Sequence, residues 1–408
     1  MGYQEKISNL LTRDVIFILN LIENSGYETR IVGGSVRNLL MNEPISDIDI
    51  ASVAHPNEIK KIFHENGIRV IDSGINYGTV TIIYNGKSYE ITTLREDVEN
   101  FGRRAIVKFT DSFEIDSKRR DFTMNAIYMD KNGKLYDYHN GIEDIYNRRV
   151  RFIGDASVRI SEDYLRIFRY FRFVAYYANF KCNEEYLNII YSVRKKILRL
   201  SFERILSELL KILSLKNAYK IIPAMYPILD ELFEPEMIPL GIMNELGIDN
   251  LTAVEKLCFI LRFSKKSREQ LSRHYNFPKR IKRLLSIQIE GGNYNQDIRK
   301  YLKAAKKEDR MFLINFFAIN LYLSAKTTKE NIKIFLKKCF DFCNSRYVDF
   351  NFRASDLKNY NLSENELKKV MMYTKKMWML SEYNLSADDC EKIARNFLIS
   401  LRKECFFQ

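Results

Sequence analysis

The spacing of apolar residues changes from a helical to a strand pattern near the start of the chain. Between residues 4 and 24, apolar side chains recur every three or four positions, which predicts an amphipathic helix that ends near Gly26. Beyond that glycine the apolar runs become short and alternate, as in strands with two short helices between them. The strand-like runs lie at 28–32, 47–53, 69–73, 78–84 and 88–94, and the short helices at 35–41 and 56–66.

Asparagine–glycine pairs mark two predicted hairpins in this region. Asn85-Gly86 separates the fourth and fifth strand-like runs, and Asn132-Gly133 stands further along the chain. Such pairs tolerate the left-handed backbone of a tight hairpin turn. Residues 95–118, between the two pairs, are polar and contain Gly102, so we predict a mobile loop there.

From about residue 155 onward the strand pattern nearly vanishes. Long helical patterns cover 155–180, 183–198 and 202–214, and shorter ones continue to the end of the chain. The sequence therefore predicts a mixed α/β head over residues 1–150, followed by an all-α remainder.

The composition is that of a globular protein with an excess of positive charge. The chain has 408 residues, 46% of them hydrophobic and 29% charged, and a formal net charge of +13. This excess suits an anionic partner such as a nucleic acid, a nucleotide or a membrane surface, although a solvated basic surface explains it equally well. The segment 264–310 is especially basic and carries Tyr275 and Phe277, which predicts either an RNA backbone contact or a solvated helical face.

The same sequence disfavours several classes of protein. Six scattered cysteines without a Cys-x-x-Cys pair, and only four histidines, argue against a zinc site and indicate a reduced, cytoplasmic compartment. No apolar run approaches the ~18 residues that a membrane span requires. The polar first twelve residues lack the pattern of a signal peptide, so no membrane partner is expected.

The first candidate site is a glycine turn followed closely by two aspartates. Gly33-Gly34 joins a predicted strand to a short helix, where backbone N–H groups and Arg37 would approach phosphate oxygens. Asp47 and Asp49 alternate on the next predicted strand, so both carboxylates would face one side and bind Mg²⁺. Such a pair alone is more often merely solvent-facing, but the glycine turn just upstream favours the metal site.

Glu90 is a candidate for a third carboxylate at the same place. It lies in the strand-like run at 88–94 and would approach the two aspartates if this strand neighbours theirs. A capping or ion-pairing glutamate is the equally supported alternative.

A second motif contains Arg120, Asp121 and Asn125. Asp121 and Asn125 are four residues apart, so on a helix they would share one face and bond the ribose hydroxyls, while Arg120 would reach phosphate. A capped helix start with an ordinary ion pair is the alternative interpretation.

A third motif is predicted to lie on one long helix. Asp163, Arg166 and Arg169 follow at three-residue steps and would share one stripe. Because a carboxylate accepts from a base amino group and a guanidinium donates to ring nitrogens or carbonyls, Asp163 and Arg166 would read the Watson–Crick edge of a nucleotide. Arg169 and Arg172 would then contact the triphosphate. A row of exposed salt bridges is the alternative.

These motifs, in this order, resemble the class II tRNA nucleotidyltransferase and bacterial poly(A) polymerase family. They read Gly-Gly-Ser-Val-Arg at 33–37, Asp-Ile-Asp at 47–49, Arg-Arg-Asp-Phe-Thr-Met-Asn-Ala at 119–126 and Glu-Asp-Tyr-Leu-Arg at 162–166. Segments such as Tyr-Gly-Thr-Val-Thr at 77–81 and Phe-Glu-Arg-Ile at 202–205 are also similar. The resemblance is close over about residues 29–215; beyond them the chain is only basic and helical, as the family's body and tail are.

The resemblance implies a polymerase-β-like head, a helical neck over residues 151–215, and a helical body and tail over 216–408 that hold tRNA. It implies Asp47 and Asp49 as the catalytic Mg²⁺ ligands and Glu162 as the residue that orients Arg166. The loop near 96–116 would be the family's flexible loop, which helps the switch from C to A addition. The residues implied in binding CTP or ATP are Gly34, Arg37, Arg120, Asp163, Arg166, Arg169 and Arg172.

Two positions depart from the family pattern. Asn38 replaces the aspartate that usually follows the arginine of the first motif, which removes a charge from a local ion pair. Tyr77 replaces the histidine that usually precedes Gly-Thr-Val.

The implied activity is template-independent addition of CCA to the 3′ end of tRNA from CTP and ATP, with release of pyrophosphate. Bacterial poly(A) polymerase activity is an alternative, but residues 74–80 resemble the CCA-adding type and lack a basic Gly-Arg-Arg-Phe-like run. An enzyme that adds only CC or only A is another alternative, and the presence of the flexible-loop segment argues against CC alone. Outside this class, the chain would be an inactive RNA-binding module, against which the intact Asp47, Asp49, Arg120, Asp163 and Arg166 argue.

Overall fold

The chain divides into two compact units. The first comprises Met1–Leu240 and Thr252–Lys282, and the second comprises Gly241–Leu251 and Arg283–Gln408. The computed structural model describes residues 3–45, 47–101, 104–235, 240–246, 251–262, 276–286, 302, 309–323, 328–344, 352–360, 362–380 and 385–404.

The first unit contains all the strands of the described residues. They are β1 (Thr29–Val32), β2 (Asp49–Ser52), β3 (Arg69–Gly74), β4 (Thr79–Tyr84), β5 (Lys87–Thr93), β6 (Arg95–Phe101), β7 (Arg104–Phe109), β8 (Ile127–Met129) and β9 (Leu135–Asp137). The helices among and before them are α1 (Tyr3–Leu10), α2 (Arg13–Asn24), α3 (Gly34–Met41), α4 (Pro56–Glu65), α5 (Phe113–Lys118) and α6 (Gly141–Tyr146). Short 3₁₀ turns lie at Ile75–Tyr77 and Thr123–Asn125.

Seven strands form one mixed sheet, in the order β3-β4-β5-β2-β1-β8-β9. Within it β2 and β5 run parallel, and the other neighbouring strands are antiparallel. The parallel pair places Asp49 opposite Glu90. Because β1 and β2 are antiparallel neighbours, the turn that follows β1 and the start of β2 lie at the same end of these two strands.

Apolar helix faces cover this sheet. On α2, Val15, Ile18, Leu19 and Ile22 are buried at helical spacing, as the sequence predicts. The single helix predicted over residues 4–24 is wrong, however, because α1 ends at Leu10 and Thr12 caps a new helix by accepting from the Val15 N–H at 3.4 Å.

Both predicted hairpins are confirmed. Asn85 and Gly86 have positive φ values of 49° and 75° between β4 and β5, which is the backbone that this pair favours. Gly133 lies between β8 and β9, also with a positive φ.

The loop predicted over residues 95–118 is wrong as a description of their structure. β6 and β7 pair as a separate two-stranded antiparallel sheet, and α5 follows. Pairing satisfies the backbone groups of these polar residues, and Phe109 at the end of β7 packs edge-on against His55 at 4.8 Å. Gly102 lies outside the described residues.

The rest of the first unit is helical, as predicted. Its helices are α7 (Ala156–Glu162), α8 (Leu165–Tyr177), α9 (Glu184–Ser192), α10 (Phe202–Leu213), α11 (Ile222–Phe233), the first residue of α12 (Leu240–Glu245), α13 (Ala253–Arg262) and the start of α14 (Lys279–Ser286). The other residues of α12 belong to the second unit. Short 3₁₀ helices lie at Arg194–Arg199 and Ala218–Lys220.

The continuous helix predicted over residues 155–180 is broken at Asp163. This residue has an extended backbone with φ −154° and ψ 107°, so α7 ends before it and α8 begins after it. One carboxylate oxygen of Asp163 accepts from the Leu165 N–H at 3.1 Å, at the first turn of α8. The break gives Asp163 a different direction from the arginines of α8.

The second unit is helical within the described residues. Its later elements are α15 (Arg310–Leu323), α16 (Lys329–Asn344), a 3₁₀ stretch at Ala354–Tyr360, α17 (Glu364–Leu380) and α18 (Ala387–Glu404). α17 and α18 share a small apolar core in which the rings of Tyr373 and Phe397 stack at 3.9 Å. Within the described parts of both units, no helix has the length and apolar character that crossing a membrane requires.

The basic segment 264–310 is described only in part. Phe277, a predicted RNA-contact residue, is buried and packs edge-on against Phe202 at 5.2 Å, so it belongs to the core. Tyr275 lies outside the described residues.

Candidate functional site

A cavity of about 650 Å³ in the first unit brings together most of the residues predicted from the sequence. Elements that are far apart in the chain line it: the turn into α3, the start of β2, the segment after α5, the break between α7 and α8, and α10. The lining residues are Gly33, Gly34, Arg37, Asp47, Asp49, Arg120, Asp121, Asn125, Asp163, Leu165, Arg166, Arg169, Arg172, Phe173 and Arg204. Of the predicted residues, Glu90 and Glu162 stand outside this lining.

The backbone at Gly33 lies close to two charged side chains, those of Arg120 and Asp49, at one end of the cavity. Its φ of 79° lies in the region that favours glycine. A Cβ on Gly33 would lie 3.6 Å from Nη1 of Arg120 and 3.8 Å from Oδ2 of Asp49, so the side chains of both residues border this turn. The position therefore joins the first two motifs in space.

Asp47 and Asp49 supply two carboxylates beside that turn. Asp49 begins β2, whereas Asp47 precedes the strand, so the prediction that both lie on the strand is corrected by two residues. Burial, together with the nearby Glu90 and Asp47 carboxylates, raises the pKa of Asp49, although Arg120 and Arg37 oppose the shift. A divalent cation would relieve this repulsion between carboxylates.

The carboxylates of Asp47 and Asp49 suit a hard divalent cation whose other coordination positions stay open for phosphate and water. In the described part of the chain, no three His, Cys, Asp or Glu side chains are placed to hold a metal ion by themselves. Binding through one or two carboxylates plus substrate phosphates is typical of Mg²⁺. Glu90 lies opposite Asp49 in the parallel register, which confirms that the two strands are neighbours; its contact with a metal stays a prediction.

Arg37 is held firmly although its neighbour is Asn38 rather than an aspartate. The Asn38 side-chain oxygen accepts from Nε and Nη2 of Arg37, at 3.2 and 3.0 Å, and from the Tyr177 hydroxyl at 3.2 Å. Nη1 of Arg37 donates to the side-chain oxygen of Asn125. Burial lowers the pKa of Arg37, and the nearby Tyr177 and Asp121 only partly oppose this shift.

Both oxygens of Asp121 are engaged by protein donors. One accepts from the Phe122 N–H and from the Asn125 amide, both at 2.9 Å. The other accepts from Nε of Arg169 at 2.7 Å, and Nη2 of Arg169 lies 2.6 Å from it in the same ion pair. Asp121 therefore positions Arg169 and Asn125 at the cavity rather than presenting a free acceptor.

The predicted shared helix face for Asp121 and Asn125 is wrong. α5 ends at Lys118, and only the 3₁₀ turn Thr123–Asn125 follows. The two side chains nevertheless meet, because the amide of Asn125 turns back onto the carboxylate of Asp121.

The third motif converges on the cavity from both sides of the break at Asp163. The prediction that Asp163 shares one helical stripe with Arg166 and Arg169 is therefore wrong, because the two arginines lie on α8 and Asp163 precedes that helix. The Asp163 oxygen that is not bonded to Leu165 accepts from Nη2 of Arg204 at 2.6 Å.

Glu162 contacts two arginines just outside the lining. It forms an ion pair with Arg166, whose Nη1 also donates to the Arg159 carbonyl at 2.8 Å. Arg159 donates to Glu162 at 2.7 Å and to the carbonyl of Arg120 at 3.0 Å. The contact with Arg166 is the one that an orienting residue requires.

Phe173 forms an aromatic wall against which three arginines pack. The guanidinium carbons of Arg37, Arg169 and Arg172 lie 5.1, 5.7 and 4.8 Å from the centre of its ring. Arg172 is also paired with the buried Glu208 at 2.7 Å. With six arginines and four aspartates in its lining, the cavity favours an anionic ligand.

Three lining residues had no predicted site role: Leu165, Phe173 and Arg204. Arg204 lies in a segment that resembles the family, but 41 positions separate it from Asp163 and no spacing rule connects them. Phe173 carries the apolar pattern of any buried helix face, so its contact with three arginines is visible only in three dimensions.

Comparisons with known proteins identify the family of the chain. Residues 29–151 match the family model described as the poly A polymerase head domain. Over 394 residues the chain is 33% identical to the human CCA tRNA nucleotidyltransferase 1, mitochondrial, covering 95% of this chain and 83% of the relative.

Other relatives match over a shorter stretch. The zebrafish (Danio rerio) protein of the same name is 39% identical over 225 residues, and the CCA-adding enzyme of Streptococcus gordonii is 42% identical over 203. These alignments cover 54% and 49% of this chain and span about half of each relative, 52% and 50%.

Solved structures share the fold along nearly the whole chain. The CCA-adding enzyme of Bacillus stearothermophilus in complex with CTP superposes with a TM-score of 0.64 at 23% identity, covering 97% of this chain and 99% of that one. The likeness at this identity concerns the fold: a polymerase-β-like head and a mostly helical remainder. Together with the extent of the match to the human relative, it establishes that the chain belongs to the class II tRNA nucleotidyltransferase family.

Proposed function

We propose that the protein adds CCA to the 3′ end of tRNA, using CTP and ATP and releasing pyrophosphate. One observation carries this proposal: a single cavity contains the carboxylate pair Asp47 and Asp49 together with the pair Asp163 and Arg166. The first pair suits phosphoryl transfer and the second suits reading of a base, so chemistry and selection meet in one place. The relatives named as CCA-adding enzymes support the same activity.

The cavity arginines provide the binding of the triphosphate. Arg37, Arg120, Arg169 and Arg172 would surround its oxygens, since guanidinium groups match phosphate in charge and geometry. The N–H groups at Gly33 and Gly34, at the start of α3, would add backbone donors. Asn125 would contact the ribose, and its side-chain bonds to Arg37 and Asp121, two other residues of the cavity, support this role.

Asp47 and Asp49 would hold Mg²⁺ beside that triphosphate, with Glu90 as a candidate third carboxylate. When bound, the ion would lower the pKa of the tRNA 3′-OH and neutralise charge on the departing pyrophosphate. In the reaction a bond forms between the 3′ oxygen and the α-phosphorus, and the bond from that phosphorus to the pyrophosphate oxygen breaks. By holding the ion, the aspartates would help to orient the reacting groups.

Asp163 and Arg166 would select the nucleotide. Arg204 and the Leu165 N–H fix the carboxylate of Asp163, and Glu162 fixes the guanidinium of Arg166. A rigid acceptor and a rigid donor can discriminate between bases by hydrogen bonds, because a mismatched edge leaves one of them unpaired. This arrangement would accept cytosine and adenine without a nucleic-acid template.

For the parts of the chain, we propose a catalytic head over residues 1–150, a nucleotide-selecting neck over 151–215, and a tRNA-binding body and tail over 216–408. The net charge of +13 supports a polyanionic partner. The cytoplasmic location expected from the sparse cysteines stays a prediction, because the vertebrate relatives are named mitochondrial.

The experiment that tests this function is extension of a tRNA transcript that lacks its 3′ CCA, read at single-nucleotide resolution. An unrelated RNA of similar length is the control, and each RNA receives CTP, ATP or both. We expect two additions with CTP alone and three with both nucleotides, on tRNA only. The Asp47→Ala variant should lose incorporation while tRNA binding stays within several-fold.

The other outcomes identify the alternatives. Long tails from ATP on either RNA would make the protein a poly(A) polymerase, and a stop after two additions with both nucleotides would make it a CC-adding enzyme. Addition of A only, to a tRNA that already ends in CC, would make it an A-adding enzyme. Binding of tRNA without any extension would leave an inactive RNA-binding module.

A further inference from the structure

Asp116 is a buried carboxylate outside the cavity lining that contacts a cavity arginine. Its side chain is 1% exposed. One of its oxygens accepts from Nε of Arg119 at 2.8 Å and from the backbone N–H of Arg95 at 3.2 Å. The other accepts from Nη2 of Arg120 at 3.2 Å and from the Tyr128 hydroxyl at 2.7 Å. Asp116 thus connects α5, β6, β8 and the second motif.

These contacts fix the guanidinium of Arg120 through two of its three nitrogens. Nη2 of Arg120 is bonded to Asp116, and Nε donates to the Tyr128 hydroxyl at 3.3 Å. Nη1 points the other way and lies beside Gly33, where a Cβ would stand 3.6 Å from it. Since the guanidinium is planar, holding two of its nitrogens sets the direction of the third.

The charge of Asp116 persists over the physiological pH range. Burial alone would raise the pKa of Asp116, but Arg120, Arg119 and the Tyr128 hydroxyl outweigh it and lower the pKa to about 2. Arg120 is therefore held by a carboxylate that is fully ionised, which is the stronger kind of hydrogen-bond acceptor.

We propose that Asp116 is a positioning residue for the incoming nucleotide, which directs Nη1 of Arg120 toward the triphosphate. The proposal rests on the proposed function, in which Arg120 binds phosphate. The bond to the Arg95 N–H extends the same anchor to the start of β6, so the two-stranded sheet β6–β7 and Arg120 share one buried partner. Without the carboxylate, Arg120 would retain only Tyr128 as a side-chain partner among these contacts.

The test compares the binding of CTP and CMP to the full chain without tRNA. The variants are Asp116→Asn, Arg120→Gln and the double substitution. We expect Asp116→Asn to weaken CTP binding about tenfold, which is about 1.4 kcal/mol, and CMP binding less than twofold, because CMP lacks the β- and γ-phosphates. The double variant should bind CTP no more weakly than Arg120→Gln alone, since Asp116 acts through Arg120.

Asp144→Asn is the matched control. Asp144 is another buried aspartate of the head, and within the described residues its ion pairs are with Arg149 and Arg151 rather than with Arg120. Its substitution should lower thermal stability without changing the ratio of CTP to CMP affinity. If Asp116→Asn does not fold, Tyr128→Phe removes the hydroxyl that bridges Asp116 and Arg120 and should give a smaller loss of the same kind.

Several results would overturn the positioning role. They are an equal loss of CTP and CMP binding in Asp116→Asn, an additive loss in the double variant, or no effect of Arg120→Gln on CTP binding. These results can be distinguished from failure of the proposed function. In that case the unmodified protein would not extend tRNA, whatever the nucleotide affinities of the variants.

Discussion

The neutral side-chain oxygen of Asn38 accepts two of the hydrogen bonds that hold the buried Arg37, and that of Asn125 accepts a third. Asn38 also accepts from the Tyr177 hydroxyl, and its own amide donates to the Pro44 carbonyl at 2.7 Å. An aspartate at this position would also present an acceptor oxygen, together with a charge that Asn38 lacks. We therefore expect the proposed role of Arg37 in nucleotide binding to depend on the acceptor oxygen at position 38.

We predict that Asn38→Ala weakens CTP binding at least tenfold and lowers the free energy of unfolding by about 1–3 kcal/mol, because buried donors of Arg37 lose their acceptor. Asn38→Asp keeps that oxygen and should retain CTP binding within a few-fold. Equilibrium binding and urea denaturation measure the two effects. Equal losses in both variants would contradict the importance of the acceptor.

Arg166 is expected to act on nucleotide choice more than on phosphate binding. Its guanidinium is fixed by Glu162 and by the Arg159 carbonyl, at the break that also carries Asp163. We predict that Arg166→Ala lowers the preference for CTP over UTP by tenfold or more in kcat/KM. Arg172→Ala is the matched comparison, since it should weaken all nucleoside triphosphates alike. Unchanged selection in Arg166→Ala would remove this residue from base reading.

At the scale of elements, the break between α7 and α8 determines the site. A continuous helix would place Asp163 and Arg166 nearly one turn apart on the same surface. With Asp163 extended, its carboxylate can cap α8 and reach Arg204 on α10. Three helices thereby fix one carboxylate at the cavity.

The sequence predicted those parts of the fold that depend on local pattern. Alternating runs located β1 to β5 to within two residues, and Asn85-Gly86 located a hairpin, because each relies on neighbours in sequence. The motifs predicted most of the cavity residues, because they consist of residue types suited to binding a metal ion, phosphate or a base.

Long-range contacts explain much of what the sequence did not predict. The break at Asp163 depends on Arg204, and the pairing of polar β6 with β7 depends on backbone bonds that no periodicity reveals. An aspartate is the type of residue that could accept from a ribose hydroxyl, yet the carboxylate of Asp121 is bonded to Arg169, 48 positions away. At Asp163 and Asp121 the partner is distant in sequence, whereas β6 and β7 are neighbours in the chain whose pairing leaves no apolar periodicity.

The ion pair of Asp121 with Arg169 joins the second motif to α8 and gives a prediction on pH. Burial alone would raise the pKa of Asp121, but Arg169 and the hydrogen bonds from Asn125 and Phe122 outweigh it and lower the pKa to about 2. An unfolded aspartate titrates near pH 4. The depressed pKa therefore stabilises the fold above about pH 4, and this contribution is lost as the pH falls toward 2.

We expect Asp121→Asn to lower the free energy of unfolding by about 2 kcal/mol at pH 7 and by about half as much at pH 3. Urea denaturation at both pH values measures the difference. Asp72→Asn is the control, because Asp72 pairs with Lys60 on the surface, where such a pair contributes little at either pH. A loss at pH 3 as large as that at pH 7 would contradict the ionic origin of the effect.

At the scale of the whole molecule, the excess of positive charge has two locations with different consequences. Some arginines line the cavity and are paired or stacked there, so we expect them to bind a single nucleotide. Other cations stand on helices of the remainder, such as Lys279 and Lys282 on α14, both exposed. If the latter contact tRNA, salt should weaken tRNA binding much more than CTP binding, because a polyanion releases many counterions.

We predict that raising the salt from 50 to 200 mM weakens binding of a tRNA lacking CCA tenfold or more, as several phosphate contacts require. Replacing Lys279 and Lys282 by glutamate should reduce the slope of log Kd against log salt by about 2 if both contact phosphate. Lys61→Glu, a change at an exposed lysine of α4 in the head, is the control and should leave the slope within about half a unit. If the double variant retains the slope of the unmodified protein, these lysines form a solvated face, and the tRNA must be held by other cations of the chain.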